Sequence, residues 1–176
     1  ERQLAQREYR ASSSHAGLQA PNRAHGLRTW FEPTGIRVHD RTAGGQAALM
    51  GLSVQGVGRG SPLSPPAPGQ VSSEGARVEI RREGFVEWYE NSPAGLEQGF
   101  TWPERPGGEG PLAVELALSG ASASFRGADL VFKTPGGRRL RYGALSARDA
   151  AGRLLPARME LTREGRVRLE VEDAGA

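Results

Sequence analysis

The sequence predicts an all-β fold: an antiparallel β-sandwich, built as one domain or as two packed subdomains, with a short N-terminal helix. The first observation behind this prediction is an alternation of apolar and polar residues with a period of two. In RVRLEVED, Val167 and Leu169 are expected on one face of a strand, with Arg168 and Glu170 on the other. The second observation is the turn-forming composition, with 25 glycines and 12 prolines in 176 residues. The turns recur roughly every 8–12 residues, a spacing typical of a sandwich.

The N-terminal part, residues 1–24, is predicted as a helix and a lead-in. Residues 1–11, ERQLAQREYRA, are rich in good helix formers, and the polar run SSSHAG ends the helix. A free helix this short is marginal in water, so it either docks or frays.

Residues 25–60 are predicted as a β-hairpin and a third strand. Alternation begins in LRTWFE, the segment EPTG supplies a turn, and IRVHD continues the alternation. The segment ALMGLSVQGVGRG supplies the third strand, over residues 49–57. Residues 61–75, SPLSPPAPGQVSSEG, are predicted as a Pro/Ser-rich linker or crossover loop, because proline has no N–H to give to a central strand.

Residues 76–176 are predicted as the main antiparallel β-sandwich. Segments such as ARVEIRR, GFVEWYEN, LEQGFTW and LAVELALSG alternate and are separated by turns such as REG and NSPAG. Residues 25–176 are expected to form one domain, and two sandwiches are the alternative.

The composition excludes several classes of function. With no cysteine, the chain has no disulfide, thiolate metal site or cysteine nucleophile. Nearly all the positive charge is arginine, with Lys133 the sole lysine, and 20 acidic residues are interspersed with it to leave a formal net charge of only +3, so no basic face for nucleic acid is predicted. No run reaches the roughly 18 apolar residues of a membrane helix, so no membrane insertion is predicted. The three scattered histidines lack metal-binding spacing, and neither a metal nor a cofactor is predicted.

Four aromatic residues are the candidates for ligand binding, and they are Trp30, Trp88, Tyr89 and Trp102. Exposed and coplanar, such rings would form a platform for stacking a sugar. The competing interpretation is packing, with Trp88 in the core and Tyr89 at an edge with its hydroxyl satisfied. Large aromatic residues in strands usually pack, so the sequence favours the second interpretation.

Catalysis is not predicted, and no catalytic residue is assigned. Glu87, Glu90 and Glu97 could supply the paired carboxylates of a glycosidase, but any glutamate-bearing hairpin offers the same pairing. His39 and Asp40 are adjacent and would point to opposite faces of a strand, which does not suit a Ser-His-Asp arrangement.

Three segments, in this order, are similar to a known family: GLQAPNRAHGLRTWFEPTGIRVHDRTA, GARVEIRREGFVEWYENSPAGLEQGFTWPERPGGEGPLAVELALSG and LRYGALSARDAAGRLLPARMEL. Together they resemble the N-terminal β-rich module of large secreted myxobacterial-type proteins with FG-GAP or integrin-α-like β-propeller repeats. The resemblance covers residues 17–176. Its most specific marks are EWYENSPAGLEQGF and FEPTGIRVHDR.

The resemblance implies a secreted, outer-membrane-surface or extracellular location, with adjoining β-repeat domains of the same or another surface protein as partners. It implies no catalytic residue and no ligand for the tryptophans. The expected function is therefore a non-catalytic structural or interaction module that caps or spaces the adjoining repeats and aids adhesion. The alternative is a carbohydrate-binding module, with a glycan as its partner.

Overall fold

The computed structural model describes residues 8–42 and 48–175, and within them it contains only β-strands, turns and loops. The predicted all-β class with antiparallel sheets is confirmed for this part of the chain. The N-terminal helix is not seen: residues 1–7 lie outside the described residues, and Glu8 and Tyr9 form a turn. Strands at Ser12–Ser14 and Gly17–Asn22 occupy the segment that was expected to be only a lead-in.

The described residues form seventeen strands. They are β1 (Ser12–Ser14), β2 (Gly17–Asn22), β3 (Leu27–Glu32), β4 (Gly35–Asp40), β5 (Ala48–Arg59), β6 (Gln70–Glu74), β7 (Arg77–Arg82), β8 (Phe85–Ser92), β9 (Gly95–Thr101), β10 (Leu112–Ser119), β11 (Ser122–Arg126), β12 (Asp129–Lys133), β13 (Arg139–Tyr142), β14 (Ala147–Arg148), β15 (Leu154–Leu155), β16 (Ala157–Leu161) and β17 (Val167–Val171).

The chain divides into two compact units, and each is discontinuous in sequence. The first unit consists of Glu1–Gly51 and Ala67–Arg105, and the second of Leu52–Pro66 and Pro106–Ala176. Strand β5 begins in the first unit and continues into the second. The segment 61–75, expected to be a linker or crossover loop, is divided between the units and contains the whole of β6.

The first unit contains two groups of antiparallel strands. Strands β1 to β4 are neighbours in chain order, and β6 to β9 form a four-stranded sheet, also in chain order. The hairpin of β3 and β4 pairs Leu27 with Asp40 and Glu32 with Gly35, which confirms the predicted hairpin. The Phe31 ring of β3 lies 5.4 Å from the Tyr89 ring of β8, so the two groups of strands contact each other through apolar faces. This contact is compatible with a β-sandwich.

The second unit is built around β10 and β17. The part of β5 in this unit, β10, β17 and β16 are neighbours in that order, while β11–β12–β13 and β14–β15 form small separate sheets. The core here includes Leu116, Leu130, Phe132 and Val167, all of which are buried. In β17, Val167 and Leu169 are buried on one face, as the alternation predicted. No helix in residues 8–42 or 48–175 has the length and apolar character needed to cross a membrane.

Candidate functional site

The first unit buries an ion pair with a hydrogen-bonded tyrosine, and we call Arg82, Glu87, Tyr89 and Gln98 the core ionic cluster. Arg82 donates to Oε2 of Glu87 through Nη2 at 2.7 Å and through Nε at 3.0 Å. The Tyr89 hydroxyl donates to Oε1 of Glu87 at 2.5 Å, and Nε2 of Gln98 donates to that hydroxyl at 2.8 Å. Both oxygens of the Glu87 carboxylate are therefore engaged in structural hydrogen bonds.

The β7–β8 hairpin explains why these charges lie inside. Ile80 is opposite Glu87 and Arg82 is opposite Phe85, and both Ile80 and Phe85 are core residues. Residues that are directly opposite on antiparallel strands share a face, so Arg82 and Glu87 also face the core. Burial of a charge is tolerated when the charge is paired and hydrogen-bonded, and here each charge neutralises the other.

Arg82 also holds the segment that leads into β6. Its Nη1 donates to the carbonyl oxygen of Ala67 at 3.1 Å. Two residues further on, the N–H of Gly69 donates to the carbonyl of Pro33 at 2.8 Å. A Cβ on Gly69 would lie 2.5 Å from Cγ2 of Ile80, so the backbone passes close to the core at this point. The core ionic cluster therefore fixes a proline-rich segment as well as a hairpin.

A pair of buried asparagines links β2 to the end of β8. Asn22 Nδ2 donates to Oδ1 of Asn91 and to the carbonyl of Ser92, both at 2.8 Å. Asn91 Nδ2 donates in turn to the carbonyls of Pro21 at 2.7 Å and Tyr9 at 3.0 Å. The ENSPAG corner at the end of β8 is thus held to β2 by amide hydrogen bonds. Asn22 and Asn91 therefore have a structural role.

In the second unit a bidentate ion pair anchors the chain after β17. Arg59, the last residue of β5, donates to Asp173 through Nη1 at 2.7 Å and through Nη2 at 2.6 Å. The same guanidinium donates to the carbonyls of Pro106 at 3.2 Å and Gly110 at 2.5 Å. The side chains are only 3% and 9% exposed. The hydrogen bond to Asp173 raises the pKa of Arg59 above its ordinary value despite burial, which keeps the guanidinium charged.

Trp88, the first aromatic candidate, lies on the face of β8 that points away from the core. Its ring lies over Gly99, because a Cβ on Gly99 would collide with Cζ2 of Trp88. The Arg77 guanidinium carbon is 4.5 Å from the ring centroid, and Nε1 donates to Oγ1 of Thr101 at 3.0 Å. The indole is therefore engaged by neighbours from β7 and β9, as a cation–π and hydrogen-bonded group.

Tyr89 is fully buried, so the packing interpretation assigned the two neighbours the wrong way round. Trp88 is on the outer face and half-buried, while Tyr89 is in the core with its hydroxyl satisfied by Glu87 and Gln98. The physical reason is the core ionic cluster: a carboxylate next to the phenol in the core gives its hydroxyl an acceptor, which a tyrosine needs when buried.

The other two candidates lie elsewhere. Trp102 follows β9 and stacks on the core residue Phe85, with ring centroids 5.4 Å apart. Trp30 is in β3, between the buried residues Thr29 and Phe31, and therefore points to the opposite face, where its ring meets His39 edge-on. The structure does not bring the four candidates onto one face, so they form no common platform.

The three glutamates considered for glycoside hydrolysis are divided between the two faces of the sheet. Glu90 and Glu97 are directly opposite each other on β8 and β9, on the exposed face, and Arg77 lies 3.7 Å from Glu90. Glu87 points the other way, into the core, where it is fully buried. Carboxylates on opposite faces of one sheet cannot act on one glycosidic bond, so Glu87 cannot act together with Glu90 or Glu97.

Strands β10, β17 and β16 carry two rows of charged residues on their polar face, which we call the charge rows. Glu115, Arg168 and Glu160 are directly opposite one another across the three strands, and Glu170 is opposite Arg158 in the next row. Arg168 donates to Glu115 at 2.8 Å and to Glu170 at 2.7 Å, and Arg158 donates to Glu170. Burial works to lower the pKa of Arg168, but the hydrogen bonds to Glu170 and Glu115 raise it overall.

Neither a candidate metal site among the described residues nor a match to a known protein points to a function for this chain. Among residues 8–42 and 48–175, no group of three or more His, Asp or Glu side chains is placed to hold a metal ion. In comparisons with known proteins, no protein-family model, curated protein or solved structure matches this chain.

Sequence reasoning missed three of the residues that organise these sites: Arg59, Arg82 and Asp173. Arg59 and Asp173 are far apart in sequence, so spacing gives no indication of their pairing. Arg82 and Glu87 flank a short REG turn, and the hairpin register alone places them on one face with Ile80 and Phe85. That register was the available signal for the core ionic cluster.

Proposed function

We propose that the chain is a non-catalytic structural and interaction module of a secreted or cell-surface repeat protein, where it caps or spaces adjoining β-repeats. Its buried charged and amide groups support this proposal, because each of them binds another part of the fold. The Glu87 carboxylate is fully engaged by Arg82 and Tyr89, and the Asn22–Asn91 pair holds a corner. The sequence resemblance to N-terminal modules of FG-GAP repeat proteins is the basis for the proposed secreted or cell-surface location and for the adjoining β-repeat domains as partners.

The observation that carries the proposal is the anchoring of the chain after β17. Arg59 holds Asp173 by two hydrogen bonds, and Nη2 of Arg153 donates to the carbonyl of Gly175 at 3.2 Å. Two arginines from different parts of the second unit thus hold the side chain of Asp173 and the backbone carbonyl of Gly175. A spacer needs such a fixed exit, because a domain joined there inherits the orientation of the module.

The test is the rotational freedom of a domain joined at this exit. A rigid fluorescent β-barrel is fused directly after Ala176, and its tumbling is measured by time-resolved anisotropy. We expect the barrel to tumble with the correlation time of the whole fusion, and to tumble faster in the D173N variant, where the ionic anchor of the exit is lost. Circular dichroism checks that the variant keeps its β-structure.

A flexible Gly/Ser insertion before the barrel is the matched control, because it uncouples the two bodies without touching the anchor. If the wild-type fusion already tumbles like this control, the spacer proposal is wrong. Localisation is tested separately: antibodies against the chain should detect it in the outer-membrane or culture-medium fraction of the source organism. Hydrolysis of any aryl glycoside by the purified chain would contradict the non-catalytic assignment.

A further inference from the structure

Strand β16 is an edge strand of the second unit. It pairs with β17 along its whole length, from Ala157 opposite Val171 to Leu161 opposite Val167. Within the described residues, no strand pairs with its other side. The backbone groups on that side are a template for a further strand. We propose that the further strand is β16 of a second copy of this chain, in an antiparallel, two-fold symmetric dimer.

The sequence of β16 is self-complementary in charge. In ARMEL, Arg158 and Glu160 lie on either side of Met159 and point to the same face of the sheet. An antiparallel pairing of two copies about Met159 places Arg158 of each copy directly opposite Glu160 of the other. Directly opposite residues of unlike charge stabilise a strand pair, whereas like charges destabilise it. The two-fold operation thus creates two favourable cross-strand pairs.

The same pairing extends the charge rows across the dimer without a break in their alternation. One row reads Glu115, Arg168, Glu160 in the first copy, and Arg158 followed by Glu170 in the second. The two-fold axis generates the equivalent row in the other direction. Every neighbour along these rows is of opposite sign, so the dimer continues a pattern that already exists within each sheet.

Arg158 and Glu160 have the exposure needed to make these new contacts. Their side chains are 53% and 48% exposed, although they already contact each other at 3.0 Å. Both neighbouring charges are less accessible: Arg168 is 14% exposed and Glu170 is 8% exposed. Inside the sheet the charges of the rows are paired and largely buried. At β16 Arg158 and Glu160 remain accessible, and a second copy would pair with them.

The opposite face of β16 supports the same pairing. Ala157, Met159 and Leu161 are only half-buried, and Met159 is opposite the buried Leu169. In the dimer Met159 meets its symmetry mate, and Ala157 lies opposite Leu161. The pairing therefore extends the apolar layer of the sheet as well as the polar one.

Another edge of this unit shows that the arrangement at β16 is not general. Strand β13 is at the end of the β11–β12–β13 sheet and carries Arg139 and Arg141. A two-fold pairing about Leu140 would place these arginines opposite each other. Edge charges of one sign prevent pairing between copies, which is the condition at β13 and the reverse of the condition at β16. The inference does not depend on the spacer function proposed above, because the exit at Asp173 is not in β16.

The test uses a charge swap between two variants. In R158E both polar positions of β16 are acidic, and in E160R both are basic, so each variant brings like charges together in its own dimer. Mixing the two variants restores two opposite-sign pairs in a heterodimer. We expect wild type to dimerise in sedimentation-velocity experiments at low salt, and each variant alone to dimerise at least about ten-fold more weakly. An equimolar mixture is expected to form dimers again.

The restored dimer in the mixture also shows that both variants remain folded, which circular dichroism checks independently. The matched control is K133E in β12, which makes the same charge change as R158E on a strand that has a neighbour on each side, and it should leave the dimerisation constant of wild type unchanged. Three results would overturn the inference: a wild-type chain that stays monomeric, dimers that survive in both single variants, or a mixture that remains monomeric. An adjoining β-repeat as the true occupant of this edge would give the first of these results.

Discussion

The Nη2 atom of Arg82 lies 2.7 Å from Oε2 of Glu87, and both side chains are almost completely inaccessible to solvent, at 1% and 0% exposure. Desolvation of two charges is costly, and the pair stabilises the fold only because its geometry is good and its remaining lone pairs are satisfied. The Tyr89 hydroxyl and the Ala67 carbonyl supply those additional hydrogen bonds.

Removing Glu87 alone should therefore destabilise the first unit strongly. E87A leaves the Arg82 guanidinium buried without its counter-ion, and we expect a loss of about 3–5 kcal/mol in the free energy of unfolding. Replacing three members of the cluster by apolar residues in the triple variant R82M/E87L/Y89F should recover most of this loss, because no unpaired buried charge then remains. Urea unfolding followed by circular dichroism measures both values.

An exposed ion pair is the control for this experiment. Arg37 lies 2.6 Å from Glu32, with side chains 49% and 39% exposed. R37A should cost less than about 1 kcal/mol, because water screens such a pair. Equal losses for E87A and R37A would show that the core ionic cluster is not a buried charge pair in solution.

The anchor in the second unit should respond in the same way to the loss of one partner. D173A removes both carboxylate oxygens from Arg59 and is expected to cost about 3–5 kcal/mol. D173N keeps the shape and one acceptor oxygen, and should cost less than D173A. Unfolding by urea gives these values, and hydrogen exchange of residues 106–111 should accelerate in both variants because Arg59 also holds that loop. Unchanged exchange there would contradict the anchoring role.

The contact of Trp88 with Gly99 predicts that a methyl group at position 99 displaces the indole. We expect G99A to cost about 1–3 kcal/mol, as for overpacking elsewhere, and to alter the emission of Trp88 by moving it away from Arg77 and Thr101. The double variant G99A/W88A should be more stable than G99A alone, because the colliding ring is absent. If G99A leaves the fluorescence and stability unchanged, the ring does not lie over this glycine.

Acid should weaken the turn at Asp149. The backbone N–H of Arg153 donates to Asp149 at 2.8 Å, and the Arg153 guanidinium at 2.6 Å, and together they hold the pKa of Asp149 below its usual range. A carboxylate with a lowered folded pKa stabilises the fold above the ordinary pKa of aspartate, about 4, and this contribution is lost as the pH falls through the folded pKa.

The difference in melting temperature between wild type and D149N should therefore be largest near neutral pH and should shrink as the pH is lowered toward the acid range. Differential scanning fluorimetry across that range measures it. K133Q, which removes no carboxylate, is the control for general effects of acid. A D149N difference that grows on acidification would reverse the assigned sign.

Period-two alternation predicted the strands well, because it follows from strand geometry alone. The β3–β4 hairpin and the faces of Val167 and Leu169 follow from it directly. Alternation shows which residues share a face, but it does not say which face is buried. At Trp88 and Tyr89 the buried face is the one that bears Glu87 and Tyr89, because Arg82 neutralises the Glu87 carboxylate and so allows its burial.

The long-range contacts could not be predicted in the same way. Arg59 and Asp173 are 114 positions apart, and only the folded chain brings them together. The prediction of a linker or crossover loop at 61–75 rests on proline content, which reports the local backbone and not the division of the core. The composition of that segment therefore gave no sign that it contributes to both units.

The alternation of the chain between the two units has a consequence for how the protein can be cut or recombined. The backbone passes from one unit to the other after Gly51, Pro66 and Arg105. A single cleavage at any of these points would leave at least one unit without strands that it needs, so no single cut yields two fragments that each contain a complete unit. In evolution and in engineering alike, we expect the two units to be transferred together as one segment of chain.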